Sequence, residues 1–365
     1  MEERKKINVG LIYGGKSAEH EVSLRSARSI YEALDKDRYN VVLIGISHNG
    51  QWLLASEAAQ LLTATAVSEK VGTHVIPVEQ GNMSLREVGS GEELGTLDVV
   101  FPIIHGTGGE DGSLQGLLEL LDVPYVGCGV LGSAVGMDKD VAKRLMRDAG
   151  IAVANYVAVR ANESWEGELD AIAATLHYPL FVKPANLGSS VGVQKVKDRS
   201  TLSAAVVEAF TFDTKVLIEE CIEGREIEVA VLGNADPKAS LPGEILPHHE
   251  FYSYEAKYID ENGASLSLPA ALSFEEQQEV QRAACRVFTT LELYGMARVD
   301  FFFTKDGRWI CNEANTAPGF TSISMYPKLW ELSGVPFNEL VDQLIELAFE
   351  RKKVERKLRR RYNKR

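Results

Sequence analysis

The stretch from Arg298 to Asn315 reads RVDFFFTKDGRWICNEAN and is typical of two antiparallel strands joined by a tight turn. Polar and large apolar side chains alternate on both sides of a central Asp-Gly pair, which favours a two-residue hairpin turn. With that turn, Asp300 lies directly opposite Glu313. Asn315 follows Glu313 by two positions, so these two side chains share one face of the strand.

The predicted hairpin brings two carboxylates face to face, which destabilises a sheet unless a cation lies between them. The side-chain oxygens of Asp300, Glu313 and Asn315 are hard ligands of the kind that Mg²⁺ prefers, and they leave coordination positions for phosphate oxygens. A solvated charged edge explains the pattern poorly, because Phe, Trp and Ile residues surround these positions. The hairpin therefore predicts a magnesium site.

A second chemical motif lies upstream, where residues 181–193 read FVKPANLGSSVGV. A strand that carries Lys183 leads into a loop of Gly and Ser and then into another strand. Backbone N–H groups and hydroxyls of such a loop can close over phosphates while the lysine neutralises them. A plain Gly-Ser hairpin would leave the lysine inside an apolar strand unexplained, so the segment favours a phosphate-binding loop.

Two further segments lie close to the hairpin in the sequence. Residues 316–324 read TAPGFTSIS, a loop rich in N–H and hydroxyl donors that suits a carboxylate or an oxyanion. Residues 251–258 read FYSYEAKY, and this aromatic, charged stretch is compatible equally with a lid and with an ordinary loop.

The N-terminal third has the pattern of an open α/β domain. Residues 7–13 and 41–46 read as buried strands, and apolar residues from Leu24 to Leu34 recur at helical spacing. A strand, helix, strand unit builds a parallel sheet, and loops at the carboxyl ends of such strands usually bind ligands. A further strand at 97–104 leads into the glycine-rich segment HGTGGEDG and then a helix.

Residues 10–17, GLIYGGKS, match the P-loop pattern G-x-x-x-x-G-K-S. We reject this interpretation, because a P-loop needs its variable residues in a loop, and here they form the end of a buried strand. The alternative is a strand-to-helix turn that positions Glu19. Gly106 and Gly108 are also a weak match to a dinucleotide fingerprint, since Asp111 stands where a third glycine is needed.

The rest of the chain changes from an α/β to an α+β pattern. Residues 138–149 read as a basic amphipathic helix, and strands follow near Tyr156 and at 180–183, 191–196 and 216–220. Beyond them, the segments 226–232, 298–304 and 308–314 alternate like antiparallel strands, with a helix at 274–291 between them. We therefore predict an α/β fold that is α+β in its C-terminal part.

The composition is that of a soluble protein with more than one domain: 365 residues, 45% hydrophobic and 25% charged. No apolar run is long enough for a transmembrane segment, and the N-terminus lacks the pattern of a secretory signal, so we expect a cytoplasmic protein. The four cysteines are far apart, which predicts reduced thiols rather than disulfides or a zinc site.

The charge is strongly uneven along the chain. The formal net charge of -13 makes a nucleic-acid partner improbable. Residues 351–365 nevertheless contain ten Lys or Arg and one Glu. Such a tail can bind RNA or an anionic membrane surface, but we favour a solvated helix end that continues residues 340–349.

In this order, the motifs resemble those of the ATP-grasp superfamily of carboxylate–amine ligases, and within it the D-alanine–D-alanine ligase family. The resembling segments cover almost the whole chain up to the basic tail: 14–23, 105–112, 137–139, 183–192, 254–258 and 298–324. The resemblance implies a three-domain ATP-grasp fold. Its parts are an N-terminal open parallel α/β domain (1–128), a central subdomain with the phosphate loop (129–220), a C-terminal subdomain with the metal site and lid (221–350) and a basic tail (351–365).

The resemblance also implies which residues bind ATP and metal ions. The predicted phosphate ligands are Lys139 and Lys183. Glu219 and the backbone near Cys221 and Ile222 would hold the adenine, and Glu226 the ribose. The ligands of two Mg²⁺ or Mn²⁺ ions would be Asp300, Glu313 and Asn315.

Other matching residues are implied to act on the amino-acid substrates. A trio orients the first D-alanine and closes the lid: Glu19, Ser189 and Tyr258. Arg298 and the N–H of Gly319 would stabilise the oxyanion, and His105 belongs to the substrate site. Ser324 and Lys257 would fix the second substrate or the transferred phosphate.

These implications amount to an ATP-dependent ligation of two D-alanine molecules through an acyl phosphate, for peptidoglycan precursors, by a homodimer. Three alternatives stay open. The second substrate could be D-lactate or D-serine, which Tyr258 disfavours; the protein could be a nucleotide-binding regulator with an inactive site; or it could be a P-loop NTPase. Leu187 stands where some family members carry an acid, which puts contacts near it in doubt.

Overall fold

Three sheets form the scaffold of the computed structural model, which describes residues 5–55, 63–79, 83–248, 264–321 and 323–359. The N-terminal sheet consists of β1 (Ile7–Gly14), β2 (Tyr39–Ile46), β3 (Trp52–Leu54), β4 (Thr73–Glu79), β5 (Met83–Glu87), β6 (Glu93–Leu97) and β7 (Val99–Pro102). Their spatial order is 6-5-4-3-2-1-7. The associated helices are α1 (His20–Ala33), α2 (Ser113–Leu120) and α3 (Val130–Met137).

This sheet has a parallel core and an antiparallel extension. β1 pairs in parallel with β2 and β7, as expected, whereas each pairing from β2 outward to β6 is antiparallel. Residues 10–14 belong to β1 and are paired in its ladders, which confirms that they do not form a P-loop. The carboxyl ends of β1 and β7 lie side by side and lead into the segments that carry Glu19 and His105.

The central sheet is antiparallel and covers its own small core. Its strands are β8 (Tyr156–Arg160), β9 (Leu180–Pro184), β10 (Gln194–Val196) and β11 (Lys215–Glu220), in the order 10-9-11-8. Helices α4 (Lys139–Asp148), α5 (Leu169–Leu176) and α6 (Arg199–Ala209) accompany it. Leu180 and Val182 of β9 alternate with Phe181 and Lys183, so one face of the strand joins the core and the other presents the lysine.

The third sheet carries the predicted metal hairpin. Its strands are β12 (Gly224–Gly233), β13 (Lys238–Ala239), β14 (Gly243–Pro247), β15 (Ala264–Ser267), β16 (Gly295–Thr304) and β17 (Trp309–Asn315). The order is 15-14-12-16-17, with β13 beside β12. Helix α7 (Phe274–Thr290) packs against this sheet, and α8 (Met325–Leu332) and α9 (Phe337–Glu355) follow the hairpin.

The hairpin pairs Asp300 with Glu313 as predicted, but its loop length and its register differ from the predicted ones. Its loop has three residues, 305–307, because the N–H of Thr304 donates to the carbonyl of Arg308, and Gly307 takes a positive φ of 79°. The predicted two-residue turn is therefore wrong. A register shift between Asp300 and Phe301 leaves Asn312 as an extra residue and restores the pairing of Asp300 with Glu313.

The last helix joins the C-terminal part of the chain to the N-terminal sheet. Leu340 and Leu344 of α9 lie in the same core as Leu11 of β1 and Leu24 of α1. This helix continues beyond residue 349 to Glu355, as the sequence predicted.

The predicted solvation of the basic end is wrong for its first two residues. Arg351 donates to the carbonyls of Tyr125 and Gly127 and stacks on the Tyr125 ring, 4.1 Å from the ring centroid. Lys352 is only 3% exposed and pairs with Asp122 at 2.9 Å. Acceptors on residues 122–127 thus compensate charges that the sequence alone would place in water.

All four cysteines are free thiols, as predicted, with Cys128 and Cys311 buried and the other two half-buried. Within the described ranges, every helix is too short or too polar to cross a lipid bilayer. The domain limits at residues 128, 220 and 350 stay predictions.

Candidate active site

A cavity of about 650 Å³ opens between the third sheet and loops and helices from the N-terminal and central parts of the chain. It is bordered by the predicted phosphate ligand Lys139 and by most of the predicted catalytic, substrate and metal residues: Glu19, His105, Ser189, Arg298, Glu313, Asn315, Gly319 and Ser324. A smaller adjoining cavity is bordered by the predicted nucleotide residues Lys183, Glu219, Ile222 and Glu226, and also by Asp300. Lys139 and Glu313 line both, so they stand at the junction.

Arg298 is held by two carboxylates at this junction. Its Nε and Nη2 donate to the two oxygens of Asp300 at 2.8 and 2.7 Å, and its Nε lies 3.1 Å from Glu228 Oε2. Glu228 stands directly opposite Asp300 on β12. Burial alone would lower the pKa of Arg298, but these carboxylates raise it well above its usual value, so the guanidinium stays charged.

Three lysines approach the same region from the central part of the chain. Lys183 donates to Glu219 Oε1 at 2.7 Å and to Asn312 Oδ1 at 3.3 Å. Lys139 lies 3.6 Å from Glu313 Oε2 and donates to the carbonyl of Leu187. Lys143, one helical turn beyond Lys139, lies 3.0 Å from Glu219 Oε2.

The Gly/Ser loop connects this lysine cluster to the N-terminal sheet. Ser189 and Ser190 both have positive φ angles, 52° and 59°, a left-handed conformation that L-residues rarely adopt. The Ser189 hydroxyl donates to Glu19 Oε1. The base of the loop is fixed separately, because Asp213 accepts from the backbone N–H and side-chain amide of Asn186 at 2.7 and 2.9 Å.

His105 joins the N-terminal sheet to the loop after the hairpin. Its Nδ1 donates to the carbonyl of Ala317, and its Nε2 accepts from the Ser26 hydroxyl, both at 3.0 Å. Burial lowers the pKa of His105 despite the opposing effect of Glu19, so the ring is neutral at neutral pH. This bridge places Gly319 and Ser324 on the wall of the same cavity as Glu19.

Glu110 is a buried carboxyl group that the sequence argument did not single out. It accepts from the N–H of Gly106 at 2.7 Å and borders the cavity. Burial, and secondarily the charge of Glu19, raise its pKa from 4.5 to about 8. Glu110 is therefore protonated in the folded protein at neutral pH.

Glu110→Gln should make stability less dependent on pH between 5 and 8. The folded state holds a proton on Glu110 over this range that the unfolded chain releases, so Glu110 makes stability fall as pH rises. Glutamine keeps the acceptor for Gly106 but has no proton to lose. Calorimetric Tm values at pH 5 and pH 8 should differ by roughly 5 °C less in the variant. Equal differences in wild type, Glu110→Gln and the exposed control Glu208→Gln would contradict the assignment.

Not every predicted site residue lies in these cavities. Cys221 borders neither, and its N–H already donates to the carbonyl of Pro179 at 3.3 Å. Lys257 and Tyr258 lie outside the described residues, so the predicted lid does too. Glu228, Asn312 and Lys143 were missed. For Glu228 a signal existed, because Glu226 and Glu228 are two apart on a strand whose alternate residues are apolar.

The protein side chains at the hairpin supply only some of the oxygen ligands that a hard divalent cation needs. Within the described ranges, no cluster of three or more Asp, Glu, His or Cys side chains is arranged to hold a metal ion. Asp300, Glu313 and Asn315 supply two carboxylates and an amide, and Arg298 and Lys139 place positive charge beside them. Such a set suits Mg²⁺ whose remaining ligands are phosphate oxygens and water.

Known proteins resemble this chain over almost its whole length. The family models described as D-ala D-ala ligase N-terminus and C-terminus match residues 8–128 and 145–346. A D-alanine–D-alanine ligase of Oceanobacillus iheyensis is 51% identical in an alignment of 362 positions that covers 97% of this chain and 98% of that protein. D-alanine–D-alanine ligase A of Escherichia coli K12 is 48% identical in an alignment of 358 positions that covers 95% of this chain and 96% of the relative.

Solved structures show the same likeness. The D-alanine–D-alanine ligase of Coxiella burnetii superposes with a TM-score of 0.86 at 40% identity and covers 96% of each chain. The VanG D-Ala:D-Ser ligase of Enterococcus faecalis has the same TM-score at 36% identity, over 94% of this chain and 100% of its own. Fold and site together define an ATP-grasp ligase. The chain belongs to the D-alanine–D-alanine ligase family.

These matches confirm the family resemblance, the fold class and the enzyme class that the sequence motifs implied. Ligases of this family use ATP. The roles of individual residues stay predictions.

Proposed function

We propose that the protein joins two D-alanine molecules to D-alanyl-D-alanine, driven by the cleavage of ATP to ADP and phosphate. The observation that carries this proposal is the pairing of Asp300 with Glu313 beside Arg298 and Lys139, where the two cavities adjoin. Family membership supports it. The relatives at 51% and 48% identity favour D-alanine over D-serine as the second substrate.

The smaller cavity would bind the nucleotide. Lys139 and Lys183 would contact the phosphates, because both side chains border this cavity and Lys139 also borders the larger one. Glu219 and the backbone of Ile222 would hold the adenine, and Glu226 the ribose. The backbone of Cys221 supports this less well, since its N–H is already engaged by Pro179.

Asp300, Glu313 and Asn315 would hold two Mg²⁺ or Mn²⁺ ions. When bound, such ions would neutralise charge that develops on the phosphate oxygens during transfer. The chain itself supplies further positive charge, since Lys139 and Arg298 lie beside the same carboxylates.

The first step activates a carboxylate, which is a poor electrophile. A carboxylate oxygen of the first D-alanine forms a bond to the γ-phosphorus as the bond from that phosphorus to ADP breaks, which gives an acyl phosphate. Glu19 would bind the ammonium group of this D-alanine. The hydrogen bond from Ser189 fixes the Glu19 carboxylate and ties it to the phosphate loop.

The second step forms the peptide bond. The amine of the second D-alanine attacks the acyl carbonyl, the tetrahedral intermediate collapses, the bond from carbon to the phosphate oxygen breaks, and the nitrogen releases its proton. Arg298 and the N–H of Gly319 would stabilise the oxyanion, and Ser324 would position the second substrate. Closure of the segment around Tyr258 and Lys257 would exclude water, which hydrolyses acyl phosphates.

The setting of the reaction follows from the same resemblance. We propose that the dipeptide enters peptidoglycan precursors, that the enzyme works in the cytoplasm, where ATP is supplied, and that it is a homodimer without a nucleic-acid partner.

The test is phosphate release by purified protein with MgATP and mass detection of the product. Release should require D-alanine and yield the dipeptide, and L-alanine should not replace it. Arms that contain D-alanine with D-serine or D-lactate decide the second substrate. Absence of D-alanine-dependent release would overturn the proposal, whereas a mixed product as the main species would keep the chemistry and change the specificity.

A further inference from the structure

Lys143 is a fully buried cation that borders neither of the two cavities. It lies on α4 one turn after Lys139, and its side chain is 1% exposed. Its ammonium group lies 3.0 Å from Glu219 Oε2. Even a paired buried lysine is often no more stabilising than apolar side chains of similar volume, so its presence calls for a reason beyond packing.

Glu219 is shared between two lysines. Its Oε1 accepts from Lys183 at 2.7 Å, and its Oε2 faces Lys143, so each oxygen has its own cation. Burial alone would raise the pKa of Glu219, but the charges of Lys143 and Lys183 lower it below its usual value. The cluster therefore contains one negative and two positive charges in a region with little water, since Glu219 is only 2% exposed.

The charge count determines how freely Lys183 can act. With Lys143 in place, the single charge of Glu219 is balanced by the inner lysine, and the charge of Lys183 remains for an anion in the cavity. Without Lys143, Lys183 would be the sole partner of a buried carboxylate. Coulombic attraction at low dielectric would then hold Lys183 against Glu219 and compete with phosphate.

We propose that Lys143 is a positioning residue that neutralises Glu219 and thereby keeps Lys183 available for the phosphates of ATP. This inference rests on the proposed role of Lys183 in nucleotide binding. It gives the buried lysine a specific task, which is to balance the charge of Glu219 so that this carboxylate competes less with the phosphates for Lys183.

The test compares a ligand that has phosphates with one that has none. Lys143→Met replaces the lysine by an unbranched side chain of similar length. Calorimetric binding of AMP-PNP in Mg²⁺ buffer should weaken about 10- to 100-fold, the equivalent of one charge-assisted hydrogen bond. Binding of adenosine should change less than about three-fold. The control Arg147→Met removes an exposed cation from the same helix and should leave both affinities unchanged.

A second variant keeps the test decisive if Lys143→Met folds poorly. Lys143→Met combined with Glu219→Gln removes both buried charges, retains an acceptor for the adenine amino group and releases Lys183. In the double variant, the ratio of AMP-PNP affinity to adenosine affinity should return to within a few-fold of the wild-type ratio, because the change at Glu219 affects the adenine of both ligands alike. Equal losses of AMP-PNP and adenosine, or no recovery in a folded double variant, would overturn the proposal. Because D-alanine is absent, failure of the ligase reaction would show only in the phosphate-release experiment.

Discussion

Asp300→Asn should lower D-alanine-dependent ADP formation by about 10³-fold, in the range seen when a preorganised electrostatic contact is removed from an active site. Asparagine keeps the size of the side chain but loses the charge that would attract a divalent cation between Asp300 and Glu313. The requirement for Mg²⁺ should rise at the same time. The measurement is a coupled ADP assay over a range of MgCl₂ concentrations.

The same substitution should lower stability only modestly. Asparagine loses one of the two hydrogen bonds from Arg298, but Glu228 remains beside the guanidinium and repulsion between residue 300 and Glu313 is relieved. The Tm of Asp300→Asn should stay within about 5 °C of wild type, which separates loss of function from unfolding. Asp306→Asn is the matched control, since it is the same change on an exposed residue of the same hairpin and should keep activity within about two-fold. Full activity of Asp300→Asn at low Mg²⁺ would contradict the metal assignment.

Arg298→Lys should lower kcat by on the order of 10²- to 10³-fold while the KM for ATP changes much less. The guanidinium contacts both oxygens of Asp300 and also Glu228, and a lysine cannot make this fork of contacts. Lysine retains the positive charge that balances the carboxylates, so the loss of activity would come from the altered orientation of the side chain toward the oxyanion. Steady-state kinetics in ATP and D-alanine measure the split between kcat and KM.

Arg225→Lys is a matched control for this substitution. Arg225 lies on the neighbouring strand β12 and binds Glu244 through both oxygens, at 2.8 and 2.6 Å, but it borders neither cavity. Its replacement should alter stability slightly and leave kcat unchanged. If both variants lose activity equally, the contacts of Arg298 with Asp300 stabilise the sheet and do not act in the reaction.

Sequence periodicity predicted the elements with the strongest one-sided or buried patterns. β1, α1 and β2 and the long strands β12, β16 and β17 follow this rule. The strands β3 to β6 were missed because they are short and half exposed; in β6 only the last of five residues is buried. Periodicity carries little signal when neither face of a strand is fully covered.

The pairing of Asp300 with Glu313 was predicted correctly although the predicted turn was wrong. A loop longer by one residue displaces the register, and the extra residue Asn312 in β17 displaces it back. Turn chemistry alone cannot reveal such a bulge, because its position depends on contacts across the sheet. The bulge has a local effect as well, since Asn312 reaches Lys183.

Buried charges were the main class of residue that the sequence could not place. Lys143, Glu228 and Arg351 have ordinary surface chemistry, and each is buried by partners that are remote in sequence. The Arg351 contact to Gly127, for example, spans 224 positions. Only tertiary structure supplies the acceptors that make such burial stable.

The packing of α9 against β1, β7 and α1 has a consequence for biosynthesis. The N-terminal strands leave the ribosome first, but their apolar partners on α9 are translated on the order of tens of seconds later. During that interval the nascent chain carries an uncovered hydrophobic surface that chaperones can recognise. A premature stop codon before α9 would make this exposure permanent and direct the truncated product to proteolysis, even though every residue bordering the two cavities had been translated.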